Sequence, residues 1–274
     1  IWAMGEATHQ LAVRVAEHGR SPTVLDIRSN QTARRTSSRE RAVSGWITAS
    51  PTLASIVSKR VGPELVECLL PGVDPGTPRA RNKQQAVSIA ILDAGEDSAS
   101  MHALLSSLPW VLKEIPGLQV CIEDPGHGRD ETWRLIRSLE LLRHVSMVPG
   151  AAGVHELLAQ CDVVIQPDRR SPARSIVLEA MKHGSTVISA RNPCLDWLVD
   201  GETAVLVAKA RKEAWNDALL NVLLDSHLRE RVGQAARKHV LEHHGMEEYL
   251  DSLLDTFRRA SKGYSYPFAL QGAT

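Results

Sequence analysis

Between Pro167 and Gly184 the chain reads PDRRSPARSIVLEAMKHG, a polar loop that runs into a helical repeat and carries three arginines and one glutamate. The arginines are Arg169, Arg170 and Arg174, and a guanidinium fork binds phosphate through two parallel hydrogen bonds. Ser175 and Ile176 open the helix, where backbone N–H groups lack intrahelical partners and favour an anion. Glu179 lies one turn in. Its carboxylate can accept from two neighbouring hydroxyls at once, or it can simply complement the helix dipole at about 0.3–1 kcal/mol. The residues alone leave both readings open, and together they point to a phosphate-bearing ligand.

Such a constellation needs a scaffold that brings loop and helix to one place. Residues 163–166 form a short apolar run stopped by Pro167, the pattern of a parallel strand covered on both faces. Ile176, Val177, Leu178, Ala180 and Met181 are spaced for a helix lying on that sheet, and Gly184 follows as a C-cap glycine would. In open α/β sheets the crevice beyond the strand carboxyl ends is the usual ligand site. Further strands are expected over 87–92, 118–122, 145–148, 186–189 and 204–207, with helices over 102–113 and 132–142, an alternation that means a parallel sheet. Upstream, 1–19 reads as a helix, 23–27 as a strand, 39–46 as a helical or loop stretch and 47–49 as a brief apolar run. A polar, basic linker over 77–85 contains Pro78 and marks a boundary.

The stretch from Asp162 onward closely resembles the family-4 type (group 1) retaining glycosyltransferases of the GT-B fold. The residues that carry the likeness are Asp162, the strand to Ile165, Pro167, the Glu179-Ala180-Met181 helix, Gly184 to Ile188, and the turn Asp200-Gly201 before Val207. Leu70 to Asp74 resembles the family's interdomain signature, and Leu223 to His244 its C-terminal helices. The resemblance implies an α/β chain of two Rossmann-like domains with parallel sheets. Residues 1–77 would be a partial acceptor-side domain, 78–248 the nucleotide-sugar domain, and 249–274 a C-terminal helix and tail. Ile1 is not an initiator residue, so the first domain is expected to be incomplete, its early strands lying upstream. The implied reaction moves a sugar from a nucleoside-diphosphate donor to a carbohydrate or lipid-linked acceptor hydroxyl with retained configuration. In such proteins the glutamate matching Glu179 accepts from the ribose hydroxyls, while Ser175 and Ile176 would offer N–H groups to the phosphates. The nucleotide sugar is a substrate, and no cofactor or metal is implied.

Three departures qualify that expectation. The family places a second glutamate eight residues before the first, to contact the donor sugar, and here that position is Ser171. The glycine-rich loop after it becomes Pro172, Ala173, Arg174. The arginine and lysine that neutralise the diphosphate after the first strand fall on Ala94 and Ala99, in a loop with three acids and no base (DAGEDSAS). Arg169, Arg170 and Arg174 are expected to supply the lost charge from the opposite loop. Two alternatives stand beside the transferase: a catalytically degenerate relative that binds or scaffolds, and a GT-B sugar-nucleotide epimerase or hydrolase.

Composition narrows the rest. The 274 residues carry 32 Lys plus Arg against 32 Asp plus Glu, and with no basic stripe a nucleic-acid partner is not expected. Cys68, Cys121, Cys161 and Cys194 form no C-x-x-C pair and read as reduced, mostly buried thiols, which favours a cytoplasmic location. No apolar run is long enough to span a membrane, and peripheral contact at its inner face is left open. His239 and His243 are four apart on an expected helix, followed by His244, and are read as surface residues rather than metal ligands. His9 and the Pro125–Gly128 turn give no catalytic signature. Trp110, Trp133, Trp197 and Trp215 are read as packing residues.

Overall fold

The structure, a computed structural model, describes residues 1–262 apart from 20, 39, 41, 77–86, 94, 96, 125, 127, 128 and 210. The expected linker over 77–85 and nearly all of the expected tail therefore lie outside the described residues. The chain divides into two compact units, Ile1–Leu70 with Glu247–Thr274, and Pro71–Met246.

The first unit is a four-stranded parallel sheet in the order β1-β2-β3-β4, built from β1 (Trp2–Met4), β2 (Val24–Ile27), β3 (Gly45–Thr48) and β4 (Val66–Cys68). Helices α1 (Glu6–Gly19), α2 (Asn30–Arg35) and α3 (Pro51–Val61) connect the strands. The opening segment is not a helix throughout. Trp2, Ala3 and Met4 pair in register with Val24, Leu25 and Asp26, and Gly5 turns the chain at φ +82° before the helix begins. The stretch expected as helix or loop up to Trp46 instead yields the first residues of β3, with both Gly45 and Trp46 buried. Ser50 starts α3 by accepting from the Leu53 N–H at 3.3 Å, with Pro51 at the first helical position. Helix α10 (Met246–Ser261) completes this unit, setting Leu253 against Val24, Ile47 and Leu69.

The second unit is a six-stranded sheet, all parallel, in the order β10-β9-β8-β5-β6-β7. Its strands are β5 (Ser88–Ile91), β6 (Gln119–Glu123), β7 (Val145–Val148), β8 (Val163–Gln166), β9 (Thr186–Ala190) and β10 (Val205–Val207). Helices α4 (Ser98–Glu114), α5 (Arg129–Ser138), α6 (Gly150–Leu158), α7 (Ile176–Lys182), α8 (Lys212–Leu224) and α9 (Ser226–His243) accompany them. The core joins Ile89, Ile91, Leu104, Leu108, Ile122 and Trp215, all without solvent contact. Of the tryptophans read as packing residues, Trp197 and Trp215 are buried, but Trp110 is half exposed with the Lys113 ammonium 5.8 Å from its ring. Cys68 is likewise exposed, while Cys161 and Cys194 are buried and the four thiols form no disulfide.

Helix α7 ends as its sequence predicts. Gly184 takes φ +75°, its N–H donates to the Met181 carbonyl at 2.9 Å, and the Ser185 N–H reaches back to Ala180 at 3.2 Å. That pair of bonds is a Schellman closure, which satisfies carbonyls the helix end would leave open. The first and last segments of this unit are stitched side by side. The Val73 N–H donates to the His244 carbonyl at 2.9 Å, Val73 bridges Gly245, and His244 Nδ1 bonds the Pro71 carbonyl at 2.8 Å.

Candidate functional site

The strand order of the second unit reverses between β5 and β8: β6 and β7 follow β5 on one side, β8, β9 and β10 on the other. A reversal of this kind parts the two connecting loops and opens a crevice at the strand carboxyl ends. The loops there are 92–97 after β5 and 167–175 after β8, and they hold most of the residues singled out from sequence. Ala94 is outside the described residues, whereas Ala99 lies in the first turn of α4.

Ion pairs tie the crevice together. Asp97 caps α4, accepting from the Ser100 N–H at 3.2 Å and the Ser100 hydroxyl at 3.0 Å, and its Oδ2 also takes Arg169 Nε at 3.1 Å. Burial pulls the Asp97 carboxyl upward, but the hydrogen bond from Arg169, those from Ser100 and the arginine charge outweigh it and hold the group below its usual range. Arg174 forks onto Glu123 at the end of β6, with Nη1 to Oε2 at 2.9 Å and Nη2 to Oε1 at 2.5 Å. Asp93 is pushed up by burial, with the Glu123 charge adding to the effect and the Gly95 N–H, the Thr132 hydroxyl and the Arg174 charge opposing it. Asp124 pairs with Arg129 at 3.4 Å.

Of the three arginines expected to act together, the structure therefore commits Arg169 to Asp97 and Arg174 to Glu123. Arg170 is exposed and makes no ion pair among the described residues. As the crevice stands, its guanidinium groups are largely neutralised by carboxylates from the facing strand ends.

Ser171 is almost wholly buried. Its hydroxyl receives Gln166 Nε2 at 3.1 Å and Asn192 Nδ2 at 3.3 Å, and Asn192 also donates to the Ser171 carbonyl at 3.0 Å. Ser171, which stands where the resemblance places a second glutamate, is thus part of a closed amide–hydroxyl knot holding the β8 loop onto the start of the loop after β9. Asp168 is fully buried in the same loop.

Glu179 sits on the first turn of α7, partly exposed, with its carboxylate paired to Lys182 one turn on. It does not enter the apolar interior. The Ser175 and Ile176 N–H groups, at the head of the same helix, have no hydrogen-bond partner among the described residues. A recess of about 70 Å³ opens beside Asp93, Gly95, Ser98, His102 and Thr132, too small for a nucleotide as it stands.

Sequence reasoning missed Glu123 and Asn192. Each ends or follows a strand at the carboxyl edge, Glu123 on β6 and Asn192 just after β9, and that placement was the available signal. Among the other residues weighed, His9 lies 3.5 Å from Glu40, and His239 packs its ring on His243 at 4.8 Å. His244 is a correction to the surface reading. It is buried, because its ring fills the space between Trp197 and the Pro71 carbonyl. Pro125, His127 and Gly128 lie outside the described residues.

Residues 85–239, more than half of the chain, match the family described as Glycosyl transferases group 1. This chain belongs to the group 1 glycosyltransferases. Among curated proteins it is 22% identical over 179 residues to the lipopolysaccharide core biosynthesis glycosyltransferase LpsE of Rhizobium meliloti (strain 1021), covering 64% of this chain and 52% of that protein. It is 29% identical over 199 residues to the D-inositol 3-phosphate glycosyltransferase of Actinosynnema mirum, covering 65% and 48%. This group 1 chain thus spans about half the length of the curated relatives it matches. Among solved structures it aligns with Anabaena Alr3699/HepE in complex with UDP-glucose at a TM-score of 0.78 and 15% identity, over 94% of this chain and 78% of that one. Sucrose-phosphate synthase (tll1590) from Thermosynechococcus elongatus aligns at 0.75 and 15%, over 91% and 71%. The fold is that of the GT-B glycosyltransferases, two Rossmann-like sets of parallel strands and helices. Among the described residues no helix is long and apolar enough to cross a membrane.

Proposed function

We propose that this chain carries the donor-binding unit of a retaining, family-4 type glycosyltransferase that uses a nucleoside-diphosphate sugar. The observation that carries the reading is the head of α7: a partly exposed carboxylate, Glu179, on the same first turn as two N–H groups, Ser175 and Ile176, without a hydrogen-bond partner among the described residues, beside the switch point of the sheet. Glu179 accepts from the ribose hydroxyls, and the N–H pair faces the phosphates. The C1–oxygen bond to the diphosphate breaks, a bond from C1 to the acceptor oxygen forms, and the acceptor's proton ends on the departing diphosphate. The protein contributes positioning and stabilisation of the leaving group, and needs no cofactor for it. The names of its relatives, a lipopolysaccharide core biosynthesis enzyme and a D-inositol 3-phosphate glycosyltransferase, support a carbohydrate or lipid-linked acceptor and a place in glycan biosynthesis.

Hydrolysis of UDP- and GDP-sugars by the purified chain tests this. Turnover that disappears in Glu179→Ala supports it, and turnover indifferent to that change refutes the assignment of Glu179. The closed ion pairs of Arg169 and Arg174, with Ser171 in place of a glutamate, favour one second reading: a relative that binds the nucleotide but does not turn it over. Nucleotide binding without release of sugar distinguishes it.

A further inference from the structure

Arg174 directly precedes Ser175, so its guanidinium starts from the backbone that presents the Ser175 and Ile176 N–H groups. It is held there by Glu123, a residue 51 positions earlier that reaches over from the end of β6. Both oxygens of the carboxylate meet both terminal nitrogens of the guanidinium, the geometry with which such a fork takes two oxygens of a phosphate. The pair is not sealed: the Arg174 side chain keeps 23% and Glu123 13% of its surface in solvent.

We propose that Glu123 is an internal stand-in for the donor's diphosphate, occupying the Arg174 fork until a more highly charged anion displaces it. This rests on the donor-site reading of α7. A diphosphate carries more charge than one carboxylate, so it takes the fork when it reaches the crevice. Glu123 then loses its partner while a new anion stands beside it, and that like-charge contact opposes binding. Glu123 therefore sets how strongly an anion must be charged to be retained. It also accounts for a crevice that bears arginines yet presents little net positive charge in its unliganded form.

The test is calorimetric titration of UDP and of GDP into the wild-type chain, Glu123→Gln, Glu179→Ala and the double variant Glu123→Gln/Arg174→Ala. Glu123→Gln keeps the shape of the side chain and removes its charge. It is expected to tighten binding of the preferred nucleotide by about tenfold or more, and the gain is expected to vanish in the double variant. Circular dichroism and thermal melting check the fold of Glu123→Gln, and Glu123→Asp, which retracts the carboxylate by one methylene, is read in the same way if the first variant is unstable. Equal affinity in wild type and Glu123→Gln, with binding still lost in Glu179→Ala, overturns the stand-in and leaves the donor site intact. Failure of wild type and Glu123→Gln alike to bind either nucleotide overturns both readings.

Discussion

Lowering the pH from 7 to 4.5 should destabilise this protein through one histidine. His244 is 1% exposed, and its Nδ1 donates to the Pro71 carbonyl at 2.8 Å, which fixes the neutral tautomer with the proton on Nδ1. Trp197 stands edge-on at 5.5 Å, and the His239 ring also lies 5.5 Å away. Burial lowers the His244 pKa from 6.5 to about 4, against the pull of the Pro71 carbonyl and helped by the charges of His239 and His243. In the unfolded chain the same imidazole takes its proton near pH 6.5, so between 6.5 and about 4 unfolding binds a proton the native state refuses. Stability is therefore unaffected by this group above pH 6.5 and falls as the pH drops toward 4. At pH 4.5 the two pKa values give a loss on the order of 2–3 kcal/mol. His244→Phe keeps a ring of similar shape, gives up the bond to Pro71 at about 1 kcal/mol, and does not titrate. Urea unfolding of both proteins at pH 7 and pH 4.5 separates this effect from the carboxylates, which they share. Wild type should lose about 2–3 kcal/mol more than the variant on acidification. Losses of equal size in the two proteins would show that His244 is not held neutral by its surroundings.

Two further outcomes concern the crevice and the helix beside it. Gly184→Ala forces a side chain into φ +75° at the end of α7 and should cost about 1–2 kcal/mol in thermal unfolding, even though the nearest atom to a new Cβ is 3.9 Å away. Arg169→Ala leaves the buried Asp97 carboxylate without its cation and should cost about 1–2 kcal/mol at pH 7. Because Asp97 is held below its ordinary value of 3.8, that difference is fully present above pH 3.8 and should disappear as acid protonates the carboxyl, which denaturation at pH 2 and pH 7 checks.

Much of the second unit was legible because its signals are local. The run from Val163 to Gln166, the helical spacing from Ile176 and the glycine at 184 each carry their own punctuation, and the elements appear where those marks stand. Strand β1 was not legible in that way. Three residues with alternating exposure owe their conformation to register with β2, which no short window contains. The crevice shows the same division. Glu179 and the arginines could be picked out by type and position, but the fate of the arginines could not. Arg169 answers to a carboxylate 72 residues away and Arg174 to one 51 away, and adjacency in sequence made three side chains look like one group, of which the fold gives two to different partners.

The stitch of Pro71 and Val73 to His244 and Gly245 means that the second unit begins and ends at one spot. A segment with neighbouring ends behaves as a cassette: it can be spliced into a host chain, or closed on itself and reopened elsewhere, without stretching its own backbone. In evolutionary terms such a unit is transferable, and changes in the chain that flanks it need not disturb its six-stranded sheet.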